Sequence, residues 1–163
     1  MIVILDLDET LVCSKKSYHT DDLDSLLIVG GETVLLRPKS TALLNKLHTR
    51  GHELVLCSFS PKVRVDAILD DAGWWDYFKL AVSQEDLNGH RKCLIPNGEF
   101  LLVEDRPRSS TLVKRKLAYF GLDIENTVPA HLDNYLVHVS AFDGDPNDDD
   151  LLDIWDELQE RTT

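Results

Sequence analysis

Three short apolar runs constrain this chain most: Ile2 to Leu7 (broken only by Asp6), Leu54 to Cys57 and Phe100 to Val103. None has the helical spacing of apolar residues, and none alternates steadily with polar ones. Strands of this kind must be covered on both faces, which is the condition of a parallel sheet sandwiched between helices. The intervening segments supply those helices. Ser40 precedes Leu43, Leu44 and Leu47, with Gly51 just past them, the pattern of a capped and terminated helix. Ser60-Pro61 predicts a second helix, serine as N-cap and proline in the first turn, with Ile68, Leu69 and Ala72 facing inward and Gly73 ending it. Leu112 to Phe120 reads as a third helix, ending at Gly121. Leu151, Ile154, Trp155 and Leu158 form the stripe of a docked amphipathic helix.

Two apolar stretches around Gly30-Gly31-Glu32 predict a hairpin over 26–36, and Tyr135 to Val139 reads as a further strand. The expected fold is α/β, a Rossmann-like parallel sheet flanked by helices. At 163 residues it is expected to be a single domain, 1–163, with the hairpin at about 24–37.

Composition narrows the possible partners. No apolar run approaches the roughly 20 residues of a membrane helix, and the start, Met-Ile-Val-Ile-Leu-Asp, lacks the basic region of a secretory signal. Three scattered cysteines, Cys13, Cys57 and Cys93, fit neither a disulfide framework nor a paired-cysteine zinc site and suit a reducing compartment. An intracellular protein, nuclear or cytoplasmic and monomeric, is expected. The net charge is −12, and 143–163 carries nine acids against Arg161 alone. Such a surface repels a polyphosphate, so general nucleic-acid binding is not expected. Lys114 to Lys116 read as a solvated helix face, while Arg106 and Arg108 are candidates for binding an anion. The six histidines show no ligand spacing, Trp74-Trp75 is expected to pack on the sheet, and Trp155 belongs to the core stripe. Asp148-Asp149-Asp150 suits the helix N-terminus it precedes.

In open α/β sheets ligands bind beyond the carboxyl ends of the strands. The first run ends in Asp6-Leu7-Asp8-Glu9-Thr10, where an extended backbone turns Asp6 and Asp8 to one side and Leu7 into the core. Two like charges at the end of a buried strand call for a cation or a proton. Glu104-Asp105 follows the third run. After the second run, Ser58 offers a hydroxyl and a backbone N–H beside a helix N-terminus, a natural anion site. Carboxylates from two strand ends suit Mg²⁺, which keeps several waters and takes a remaining ligand from phosphate. The chemistry this set serves is phosphoryl transfer.

Leu5-Asp6-Leu7-Asp8-Glu9-Thr10-Leu11-Val12 resembles the DxDxT motif of the haloacid dehalogenase superfamily. The chain is similar to one branch, the small phosphatases acting on the C-terminal repeats of RNA polymerase II. The further matching segments, in the family's order, are Leu35-Leu36-Arg37-Pro38, Leu56-Cys57-Ser58-Phe59-Ser60, Leu102-Val103-Glu104-Asp105-Arg106-Pro107 and Phe142 to Asp149. The resemblance implies Asp6 as nucleophile, forming an aspartyl-phosphate, and Asp8 as proton donor and then base. It implies Ser58 holding phosphoryl oxygens and Thr10, Ser58, Phe59 and Arg106 facing the substrate. Mg²⁺ would lie on Asp6, Asp105 and the Asp8 carbonyl. A lysine is expected shortly before the third strand; Lys92 is the natural candidate, with Lys79 and Lys62 as alternatives.

Glu104 departs from the family's usual aspartate, and the longer arm points to a supporting role, ordering a metal-bound water or Lys92. The implied activity is that of a Mg²⁺-dependent phosphatase acting on phosphoserine or phosphothreonine in a protein. Its alternatives are a small-molecule or nucleic-acid-end phosphatase of the same superfamily, or a phosphoprotein-binding module without turnover. The resemblance also implies that the hairpin, about 24–37, is a small insert beside the site, with no large cap domain; Leu26, Leu27, Ile28 and Val34 are then candidates for an apolar shelf.

Overall fold

The computed structural model describes residues 1–14, 26–89, 93 and 99–163. The predicted catalytic lysine, Lys92, its neighbour Arg91, His19, His90 and the first two residues of the hairpin insert lie outside the described residues.

Five parallel strands form the main sheet: β1 (Ile2–Leu5), β5 (Glu53–Cys57), β6 (Phe78–Val82), β7 (Phe100–Glu104) and β8 (Leu136–His138), in the order β6-β5-β1-β7-β8. The apolar runs prove buried on both faces. Val3 and Leu5 join Leu54, Leu56, Leu101 and Val103 in one core, while Ile4 joins Val55, Cys57, Phe100 and Leu102 in the other. The first core is covered by α1 (Ser40–Thr49), α2 (Lys62–Ala72) and α5 (Asp150–Thr162). The second is covered by α3 (Gln84–Asn88), α4 (Thr111–Tyr119) and a 3₁₀ turn over Pro129–Tyr135. Among the described residues no helix is long and apolar enough to cross a membrane.

A second, antiparallel sheet joins β2 (Val12–Cys13), β4 (Glu32–Leu36) and β3 (Leu26–Val29), in the order β2-β4-β3. The predicted hairpin is therefore real, its turn made by Gly30 and Gly31 at φ 56° and 80°, where a side chain would be strained. Leu27 and Val34 are buried and Leu26 is half-buried, which leaves Ile28 as the one exposed residue of the proposed shelf. Trp74 is buried and donates from Nε1 to Thr41 Oγ1 at 3.0 Å, whereas Trp75 is exposed. Trp155 is half-buried beneath Lys46 and Arg50, each 5.3 Å from its ring centre.

The helix starts differ from the sequence expectation. Ser40 is the first helical residue, preceded by Lys39 in the left-handed region at φ 70°. Pro61 lies just before α2, and the Ser60 hydroxyl turns toward Asp8 instead of capping the helix.

Arg37 ties the loop after β1 to the acidic tail. It is 1% exposed, and its guanidinium pairs with Asp148 through Nε at 2.8 Å and Nη2 at 3.0 Å. Nη2 also reaches Asp150 at 3.2 Å, and Nη1 donates to the Glu9 and Thr10 carbonyls. Glu9 sits at φ 65°, a conformation costing a non-glycine residue about 1 kcal/mol or more. Its carbonyl also accepts from Phe142 N–H at 2.7 Å, so the strained turn is held from two directions. Removing one member of a buried pair leaves an uncompensated charge, so Arg37→Met is expected to lose about 3 kcal/mol or more of stability in urea unfolding. A loss below about 1 kcal/mol would show that the tail does not brace the loop.

Candidate active site

The chain runs from β1 outward to β5 and β6, then returns to place β7 and β8 on the other side of β1. The crevice at such a reversal is where open α/β sheets bind ligands. Asp6 leaves the carboxyl end of β1, Ser58 that of β5, and Glu104-Asp105 ends β7. Asp6 is 2% exposed and Glu104 1%.

Their charge is answered by a residue the sequence expectation assigned elsewhere. Lys116 is fully buried, not part of a solvated helix face. Its Nζ donates to Asp6 Oδ1 at 2.6 Å and to Glu104 Oε2 at 2.7 Å. The signal was present in the sequence: Val113, Lys116, Leu117 and Phe120 keep the i, i+3, i+4, i+7 spacing of a core-facing stripe, with lysine in an apolar slot. Val113, Leu117 and Phe120 are buried, and they carry Lys116 inward with them. The two alternatives named for the lysine are exposed and paired elsewhere, Lys62 with Asp66 at 2.7 Å and Lys79 with Glu53 at 3.0 Å. Among the described residues Glu104 is thus paired with Lys116 through Oε2, while its Oε1 accepts from the Arg106 backbone N–H at 3.3 Å.

Thr10 is buried, and its hydroxyl lies 3.0 Å from Asp6 Oδ2 and 3.3 Å from Asp105 Oδ1, so it bonds the carboxylates and not open solvent. Phe59 is half-buried, its ring flanked by Arg115 at 5.0 Å and the Lys116 ammonium at 5.7 Å. Ser58 is 1% exposed and its Oγ accepts from Ser60 N–H at 3.0 Å. Its own backbone N–H, expected to face an anion, donates to the Val82 carbonyl because β5 continues its pairing with β6. The first N–H of α2, on Lys62, already holds an anion, the Glu85 carboxylate at 2.8 Å. Arg106 lies at the rim, its guanidinium 3.9 Å from Glu104 and partly exposed, while Arg108 pairs with Asp133 at 2.6 Å. Asp8 accepts from Ser60 Oγ at 2.7 Å and Arg64 Nη1 at 3.0 Å.

Protonation follows from these contacts. Burial opposes charge on Asp6, but the Lys116 charge together with the hydrogen bonds to Asp105, Lys116 and Glu104 outweighs it and holds the carboxyl below its ordinary value. Burial likewise opposes charge on Lys116, and Asp6 and Glu104 outweigh it, so the ammonium stays charged. Burial and then the Asp6 charge push Glu104 up. Asp105 is pushed up to about 9 by burial and by its hydrogen bonds to Asp6 and Glu104. Burial also pushes the neighbouring Cys57 thiol up to about 12, which makes it inert as a nucleophile.

Asp6, Glu104 and Asp105 each offer an oxygen within 4.8 Å of the others. Among the described residues no lysine or arginine pairs with Asp105, and a proton holds its place. Once that proton leaves, three carboxylates face one ammonium and two negative charges are left unbalanced, a fit for a divalent cation such as Mg²⁺.

A parallel α/β sheet with paired carboxylates at the ends of β1 and β7, and no large cap among the described residues, defines the class as a haloacid dehalogenase-type fold. The chain belongs to the NLI interacting factor-like phosphatase family, whose profile matches residues 1–113. Lys116 and the Phe142 to Asp149 segment fall beyond that match. The fold is similar to a variant of the fission yeast RNA polymerase II CTD phosphatase Fcp1 bound to beryllium fluoride, with a TM-score of 0.54 and 12% identity over 98% of this chain. This chain spans about half of that one, 49%. It is also similar to an uncharacterized protein of Listeria monocytogenes serotype 4b (TM-score 0.58, 19% identity, 99% and 98% of the two chains). A Thermotoga maritima protein proposed to be a beta-phosphoglucomutase matches at a TM-score of 0.56 and 14% identity, over 98% of each chain. No curated protein matches the sequence.

The raised Asp105 carboxyl has a pH consequence. A group whose pKa rises on folding contributes stability at low pH that is lost as pH climbs from 3.8 through about 9. Asp105→Asn, which mimics the protonated form, is expected to unfold at a higher temperature than wild type at pH 8 without metal, and to remove the stabilisation Mg²⁺ gives wild type. Equal melting temperatures at pH 8 would mean Asp105 is not held protonated.

Proposed function

We propose that this protein is a Mg²⁺-dependent phosphatase working through an aspartyl-phosphate on Asp6, with phosphoserine or phosphothreonine of a protein as substrate. The observation that carries it is the buried Asp6 carboxylate, held ionised between the Lys116 ammonium and the Thr10 hydroxyl, with Asp105 beside it. A carboxylate approaching a phosphate dianion is repelled unless cations screen it. Lys116 supplies one such charge from within the protein. Asp6, Asp105 and the Asp8 main-chain carbonyl would hold Mg²⁺, which supplies further charge screening and orients the phosphoryl group.

In the first half-reaction an Asp6 oxygen forms a bond to phosphorus and the ester P–O bond breaks. The departing alkoxide takes a proton from the Asp8 carboxyl. In the second, water gives its proton to the Asp8 carboxylate as its oxygen bonds to phosphorus, and Asp6 is released with inorganic phosphate. The Ser58 hydroxyl, at the end of β5, holds a phosphoryl oxygen, and Arg106 at the rim offers a further positive charge.

The protein substrate is supported by the family, by the likeness to a polymerase CTD phosphatase and by the absence of a large cap among the described residues. Ile28 of β3 and Val63 of α2, 68% and 79% exposed, lie on elements that pack together beside Arg64 and offer a peptide apolar contact. A reducing intracellular compartment suits such a substrate.

The test is turnover of a phosphoserine peptide. Wild type with Mg²⁺ is expected to release phosphate, EDTA to stop it, and Asp6→Asn to abolish it. Lys116→Met, read alongside its folded fraction, is expected to cut kcat by about 100-fold or more, the range seen when one charge-stabilising group is removed. Full turnover in Asp6→Asn would exclude this nucleophile.

A further inference from the structure

Asp8 is held by a residue that no matched motif contains. Arg64 sits in the first turn of α2, with its side chain 17% exposed. Its Nη1 lies 2.9 Å from Asp8 Oδ1 and 3.0 Å from Oδ2, and 2.8 Å from Ser60 Oγ. Ser60 in turn donates to Asp8 Oδ2 at 2.7 Å. The other side of the guanidinium is engaged by the hairpin. Nε donates to Glu32 Oε2 at 3.1 Å and Nη2 to Oε1 at 3.4 Å, and Glu32 is the first residue of β4, directly after the Gly30-Gly31 turn.

We propose that Arg64 is a positioning residue that fixes the Asp8 carboxylate for proton transfer, and that Glu32 makes the hairpin part of that alignment. The inference rests on Asp8 as the acid and base of the reading above. A free aspartate side chain turns about two bonds, whereas proton transfer needs its oxygen within about 2.6–3.2 Å of the reacting group. Here a single nitrogen spans both Asp8 oxygens while Ser60 takes one of them, so the plane of the carboxylate is set. The bidentate grip of Glu32 prevents the guanidinium from swinging out to solvent. Lysine would bring the charge but not the fork, since one ammonium cannot address Glu32 in a plane and still hold Asp8 and Ser60.

Two substrates with different leaving groups separate this role from damage to the fold. A nitrophenolate leaves without help from an acid, whereas a serine alkoxide needs the proton. In the 163-residue chain with Mg²⁺, Arg64→Ala is expected to lower kcat on a phosphoserine peptide by about 100-fold, the effect of roughly 1 Å of misplacement. With nitrophenyl phosphate the same variant is expected to release a burst of nitrophenol equal to the enzyme present and then run slowly, because water activation also needs an aligned Asp8. Arg64→Lys should not restore the peptide rate, and Glu32→Gln should reproduce the pattern at about a tenfold loss. An equal fall on both substrates without a burst would overturn the proposal, as would a raised KM with unchanged kcat, which would assign Arg64 to substrate binding. Wild type inactive on both substrates would instead overturn the phosphatase reading, and this inference with it.

Discussion

A lysine ammonium buried beneath a parallel sheet must be neutralised where it lies, and two carboxylates from different strands do this for Lys116. Leaving any of the three alone would strand a charge in a low-dielectric interior, at several kcal/mol. The contact therefore fixes the spacing of the carboxyl ends of β1 and β7 and the seating of α4 against them. It also accounts for Glu104. The arm one carbon longer than aspartate reaches Lys116 at 2.7 Å, so the departure from the family's usual residue has a partner matched to it.

The arrangement leaves more negative charge than it can absorb, and it leaves it in one place. Asp105 stands next to Asp6 and Glu104 with its proton retained, which is the charge a divalent cation would replace. A second hub keeps the rest of the loop in order. Arg37, buried under the tail, holds the carbonyls of Glu9 and Thr10 while Asp148 and Asp150 answer its charge. Part of the acidic C-terminal run is thus internal counter-charge and not solvated surface.

Much of the framework was legible. The strands at Ile2, Leu54 and Phe100, the hairpin and the C-terminal helix all follow from apolar periodicity and glycine placement. Phe78–Val82 was not recognised as a strand because it lies at the sheet edge, with exposed Lys79 and Leu80 between buried ends, a pattern too short and mixed to stand out. Among the site residues, Asp6, Glu104 and Asp105 could be read because they directly follow apolar strands. Lys116 could not be recognised from residue type, since lysine on a helix usually faces water; its spacing with Val113, Leu117 and Phe120 was the overlooked sign. Arg64 and Glu32 gave no sequence signal, because 32 residues separate them and only the packing of β3 on α2 brings them together.

The central claim is that the carboxylate held by Lys116 becomes covalently phosphorylated. The most direct measurement is to quench the enzyme during turnover of a phosphoserine peptide, reduce it with borohydride, and map the products by mass spectrometry. An acyl phosphate is reduced to an alcohol, so homoserine is predicted at position 6 and at no other aspartate. Aspartate intact at position 6 during active turnover, or homoserine at position 8 or 105, would contradict the account.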